Sequence, residues 1–155
     1  MSRRLRNTAF ALAAAAATGL GPAVTAGATT TPFTLTEYVA PVQNSFTFTS
    51  DIPGCPSGTF VDEMQRHPAA PPAQQPPRTW LTLTTYICAD GSTFTALKHQ
   101  RLTFGADSLA SSGPVEFRGG SGATADLTAH GVDNGVFDFS TATGVGTITG
   151  VITGS

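Results

Sequence analysis

Beyond residue 30, apolar residues recur at every second position in short runs bounded by Gly, Pro, Asn and Asp, and nowhere at helical spacing over three turns. That period of two predicts antiparallel β-structure. Phe33, Leu35 and Val39 share one parity in a first strand near 33–40, and Phe46 and Phe48 share one in a second near 43–50. Pro53-Gly54 and Pro56-Ser57-Gly58 punctuate the following turn, and Gly58 to Glu63 forms a short third strand. From His67 to Arg78 the chain carries prolines at 68, 71, 72, 76 and 77, which cannot donate to a sheet ladder, so this segment is expected as an exposed loop of polyproline character.

The strongest strand signal is Thr79 to Ala89, where Leu81, Leu83 and Ile87 alternate with Trp80, Thr82, Thr84, Tyr86 and Cys88. Bulky groups on both parities predict that both faces are covered. Asp90-Gly91 reads as a hairpin turn into Ser92 to Phe104. There Phe94, Ala96, Leu102 and Phe104 share a parity with Lys98 and Gln100, which puts two polar residues in the middle of an apolar row. Two arrangements fit. Either Lys98 and Gln100 face inward as a pocket floor beneath an aromatic wall of Trp80, Tyr86, Phe94 and Phe104, or a β-bulge near Lys98 turns them outward. In the last strand, near 144–153, Gly144, Gly146, Gly150 and Gly154 share a face with Ile148 and Ile152. Glycine weakens a strand unless curvature or close approach requires it. A closed barrel requires it more than the alternative, a β-sandwich.

The stretch from Ser112 to Gly131, SGPVEFRGGSGATADLTAHG, resembles a pattern of exported actinobacterial proteins related to the allene oxide cyclase and dirigent-like barrels. Gly119, Gly120, Ser121 and Gly122 correspond to a GGTG turn, Ala125 and Leu127 to the following Ala and Leu, and Gly131 to a closing glycine. The runs CPSGTFVDE (55–63) and CADGSTFTALKH (88–99) are similar to the same proteins, whereas Thr124, Asp126 and Ala129 depart from the pattern. The resemblance implies an eight-stranded antiparallel barrel of calycin-like or allene oxide cyclase-like form, oligomeric in some members, with an apolar cavity that steers a reactive small molecule. No catalytic residue carries over position by position.

The first 28 residues change the picture of where this chain works. Arg3, Arg4 and Arg6 are followed by an apolar, Ala-rich run from Thr8 to Leu20 and by small residues through Ala26 and Ala28, the order of a secretory signal peptide cleaved after Ala26 or Ala28. Arg6 and Asn7 stand where a twin-arginine signal requires apolar residues, which favours general secretion. The mature segment, 29–155, is read as one secreted, extracellular domain. Three of the eight basic residues lie in the leader, leaving five against ten acidic residues, a net charge of −5. No basic stripe remains for nucleic acid or an anionic membrane, and no later segment is apolar enough to span a bilayer. Cys55 and Cys88, two cysteines in an exported chain, are expected to form one disulfide, free thiols being the alternative.

Candidate chemistry is sparse. Ser121 in Gly-Gly-Ser-Gly lacks the spacing of a nucleophile elbow and reads as part of a turn. His67, His99 and His130 are 32 and 31 residues apart and encode no local metal site, and no metal or organic cofactor is expected. Asp133-Asn134-Gly135 reads as a turn, since the oxygens at Asp138 and Ser140 break calcium-loop spacing. Asp62 and Glu63 are adjacent, so at most one faces inward. Three roles remain open. The first is non-catalytic binding of a small apolar molecule bearing one acceptor or carboxylate, with Lys98 and Gln100 as donors. The second is a dirigent- or cyclase-like activity that guides a reactive intermediate. The third is an extracellular protein-binding or surface role carried by loops such as 67–78.

Overall fold

A computed structural model describes residues 30–66 and 79–154. The leader and the proline-rich segment both lie outside the described residues. Eight strands run in chain order: β1 (Thr31–Ala40), β2 (Ser45–Ser50), β3 (Ser57–Arg66), β4 (Thr79–Cys88), β5 (Thr93–Phe104), β6 (Ser108–Ser121), β7 (Thr128–Asp138) and β8 (Thr143–Gly154). Each pairs antiparallel with its sequence neighbours, and β1 pairs with β8 to close the barrel. Closure joins the two end strands of the sheet, while β2 and β3 pair only over 47–49 and 57–59, so that residues 60–66 of β3 pair with β4 alone among the described residues.

The closing seam explains the glycine row. Phe33 lies opposite Gly150, Glu37 opposite Gly146 and Val39 opposite Gly144, while across β7 Gly131 faces Gly150 and Gly135 faces Gly146. A methyl group on Gly150 would stand 2.2 Å from the His130 carbonyl oxygen and 2.8 Å from the Phe33 ring, so only glycine admits that ring against a seam this tight.

One end of the barrel is filled. Phe33, Leu35, Phe48, Phe60, Tyr86, Phe94, Val115, Phe117 and Ile148 form a buried core in which Tyr86 stacks on Phe94 at 4.6 Å and Phe48 meets Tyr86 edge-on at 5.1 Å. Ile52 and Leu127 cap this end beside the Cys55–Cys88 disulfide, which the fold brings to a Cα separation of 5.3 Å. The outer row of β4 is only partly covered: Leu81 and Leu83 are half-buried and Ile87 is exposed, so its second face meets solvent more than expected.

Three local expectations are corrected. β6 continues through Gly119, Gly120 and Ser121, and the turn begins at Gly122 (φ +62°), because those glycines pack their backbones against Thr93 and Ala125, leaving no room for a Cβ. Asp133-Asn134-Gly135 is not a turn but the middle of β7, held by β6 and β8 on both sides. No bulge occurs at Lys98: the β5–β6 register is the same at Lys98–Val115 as at Arg101–Ser112, and the irregularity falls at Thr93–Phe94.

Candidate functional site

Alternation along β5 sends His99 and Arg101 outward and Lys98 and Gln100 into the barrel, above the aromatic core. A charged group at 2% exposure needs a partner. It finds one across the barrel, where Lys98 Nζ donates to Glu37 Oε1 at 2.5 Å and the Tyr86 hydroxyl donates to the same oxygen at 2.5 Å. Lys98 Nζ also stands 5.7 Å from the Phe60 ring centroid and 5.8 Å from that of Tyr86, so two electron-rich ring faces supplement the ion pair. Burial, reinforced by Glu37, holds the Tyr86 hydroxyl well above its ordinary pKa, so it remains a donor.

A second polar group lies beside this layer. Gln100 Nε2 donates to Asp133 Oδ2 at 2.5 Å, and Thr84 Oγ1 donates to Asp62 Oδ1 at 2.5 Å. Glu37, Lys98, Gln100 and Asp133, with the exposed Asp62, line a cavity of about 200 Å³ at the other end of the barrel, walled by Val39, Met64, Trp80, Leu102, Leu109 and Phe137. Two residues of its lining carry a buried polar atom with no hydrogen-bond partner among the described residues: Trp80 Nε1 and Asp133 Oδ1. They lie on either side of Gln100, which is in register with Trp80 on β4 and bonded to Asp133 on β7.

The sequence-predicted residues thus divide. Lys98, Gln100 and Trp80 meet at the cavity. Tyr86 and Phe94 lie beneath it in the closed core, Tyr86 reaching the polar layer only through its hydroxyl. Phe104 is not part of the wall. It is 41% exposed, because β5 has passed the barrel rim by the time it reaches Phe104 and the turn at Gly105. The donor roles expected of Lys98 and Gln100 are also taken up internally, by Glu37 and Asp133. Of the Asp62–Glu63 pair, Asp62 borders the cavity and Glu63 does not.

Glu37 and Asp133 were not read as site residues. Glu37 carried a signal, since it shares the parity of Phe33, Leu35 and Val39; Asp133 was hidden by its turn-like neighbours. His99 and His130 are exposed and His67 lies outside the described residues, which hold no cluster of His, Cys, Asp and Glu able to bind a metal ion. Ser121 Oγ meets only Thr93 Oγ1, at 2.9 Å in an exposed pair, and has no base beside it.

Burial raises the Asp133 carboxyl pKa above its ordinary value, against the opposing pull of Lys98 and Gln100. The folded protein therefore holds a proton on Asp133 more tightly than the unfolded chain does, and the ionised carboxylate costs stability. That cost is present above the raised folded-state pKa and vanishes as pH falls below the unfolded carboxylate value, about 3.9. Asp133→Asn, which keeps an acceptor for Gln100, is expected to unfold at higher temperature than the parent at pH 8, with the gap closing toward pH 3. Thermal unfolding across that range measures it.

No family model matches the chain, and comparison with curated proteins and with solved structures also finds no match.

Proposed function

We propose that this is a secreted carrier or sensor barrel that binds one small, largely apolar molecule in the cavity at its open end, without catalysis. The observation that carries the reading is the division of the barrel interior. A stacked aromatic core fills one end, a buried Glu37–Lys98–Tyr86 layer closes it off, and above that layer apolar side chains surround about 200 Å³ bordered by two unpartnered polar atoms. Barrels of eight strands hold a single small ligand in this way. A volume below the ~300–1,000 Å³ of drug-sized sites points to a compact occupant. The basic, apolar, then small-residue leader and the disulfide support an extracellular setting.

The chain supplies its own reporter, because Trp80 is its single tryptophan and stands in the cavity wall. Titration with phenethyl alcohol, a compact apolar molecule with one hydroxyl, is expected to change Trp80 fluorescence saturably with a stoichiometry of one. Ser111→Phe, which places a ring in the cavity from β6, is expected to abolish the change while the protein stays folded. A non-saturable response, or one that survives Ser111→Phe, overturns the proposal.

A further inference from the structure

The cavity contains more acid than it neutralises. Glu37, Asp62 and Asp133 border it, and Lys98 is the one basic residue among its described lining residues. Lys98 is committed to Glu37, the sole ion pair among the described residues. Among the described residues, Asp133, 1% exposed, therefore has no cation bonded to it, and its Oδ1 has no hydrogen-bond donor. An isolated buried carboxylate oxygen is expensive, and a donor brought by a ligand relieves that cost.

The position of that oxygen narrows the ligand. A methyl group placed on Gly146 would lie 3.1 Å from Glu37 Oε2 and 3.6 Å from Asp133 Oδ1. Both oxygens thus pack against this glycine, too closely for a side chain at 146, and neither takes part in the internal bonds described above, since Lys98 and Tyr86 both use Oε1 and Gln100 uses Oδ2. The absence of a side chain at 146, between β1 and β7, lets two carboxyl oxygens converge there, on residues that line the cavity. A group with several N–H donors and a positive charge can serve both. From there, Trp80, Leu102, Leu109 and Phe137 provide an apolar wall for the rest of the molecule, and an indole face suits a cation.

Resting on the ligand-binding reading above, we propose that the occupant is a small primary amine in its protonated form, its ammonium seated over Gly146 between Asp133 Oδ1 and Glu37 Oε2 and its apolar body against Trp80. This replaces the acceptor- or carboxylate-bearing ligand expected from Lys98 and Gln100, whose donors are already used. Seating an ammonium beside Asp133 opposes the rise of its pKa on burial, because a neighbouring cation favours the charged carboxylate.

The test is a matched series read by Trp80 fluorescence at pH 8: phenethylamine as the ammonium, phenethyl alcohol as the neutral analogue and phenylacetate as the anion. Phenethylamine is expected to bind at least about tenfold more tightly than the alcohol, a difference of about 1.4 kcal/mol, and phenylacetate least of all. Asp133→Asn should bring amine and alcohol to similar affinity, whereas Glu116→Gln on the outer surface should leave the preference intact. Equal or tighter binding of the alcohol or of phenylacetate to the parent protein overturns the amine assignment while leaving the binding cavity in place. Failure of all three to perturb Trp80 overturns the cavity reading itself. Persistence of the tenfold preference in Asp133→Asn overturns the assignment of the anchor.

Discussion

Replacing Lys98 with methionine lowers the stability of the folded protein by about 3–5 kcal/mol, the cost of breaking a buried ion pair from one side. Methionine fills the volume that the lysine stem occupied, so lost packing contributes little. What changes is Glu37, 6% exposed, which loses its ammonium partner and keeps only the Tyr86 hydroxyl on Oε1. The companion change makes the argument specific. Glu37→Gln in the Lys98→Met background removes the stranded charge, so the double variant should recover most of the loss, with a coupling of about 2 kcal/mol or more in a double-mutant cycle. Urea unfolding of the four proteins measures it. Additive losses would mean that the two side chains do not support one another, and the polar layer would then not be what separates the filled end from the cavity.

The second large effect comes from the opposite end. Cys55→Ala with Cys88→Ala is expected to cost about 3–4 kcal/mol on the chain-entropy account of closing a loop of this length, the cysteines being 33 positions apart. Against the 5–15 kcal/mol typical of a domain this is a large fraction. Its effect should also be local in a way that the Lys98 change is not. Both cysteines are buried against the Ile52 and Leu127 cap of the filled end, away from Trp80 and Gly146. Below its lowered unfolding temperature, the disulfide-free protein should therefore bind phenethylamine with an affinity within a few-fold of the parent. A parallel loss of stability and affinity would show that the two ends of the barrel are not independent.

The barrel itself was legible because its signals are periodic. Alternation along 79–89 and 92–104 placed β4 and β5 nearly to the residue, and the one-sided glycines of 144–153 favoured a closed barrel over the alternative, a β-sandwich. The inward direction of Lys98 followed from the same parity once no bulge interrupted it. The remainder of the site was concealed for two physical reasons. Asp133-Asn134-Gly135 has the local chemistry of a turn, yet Asp133 is in register with Gly113 on one side and Ile148 on the other, and pairing along both edges outweighs local preference. Glu37 was passed over because a carboxylate in an apolar row makes sense only with its partner. That partner, Lys98, is 61 residues away in sequence. Phe104 erred in the other direction: parity predicts which face a residue occupies, not whether the strand is still inside the barrel at that height.

The central claim is that a ligand enters the open end of the barrel beside Trp80. With a single tryptophan, the chain gives one indole N–H resonance, and Trp80 Nε1 has no hydrogen-bond partner among the described residues. Followed through the phenethyl alcohol titration by nitrogen–proton correlation spectroscopy, that resonance is predicted to move progressively and saturate as the hydroxyl of the ligand accepts its proton. The amides of Phe117 and Leu127 in the filled end should stay in place. An indole resonance that does not move while the ligand binds, or shifts concentrated around Phe117 and Leu127, would contradict the account.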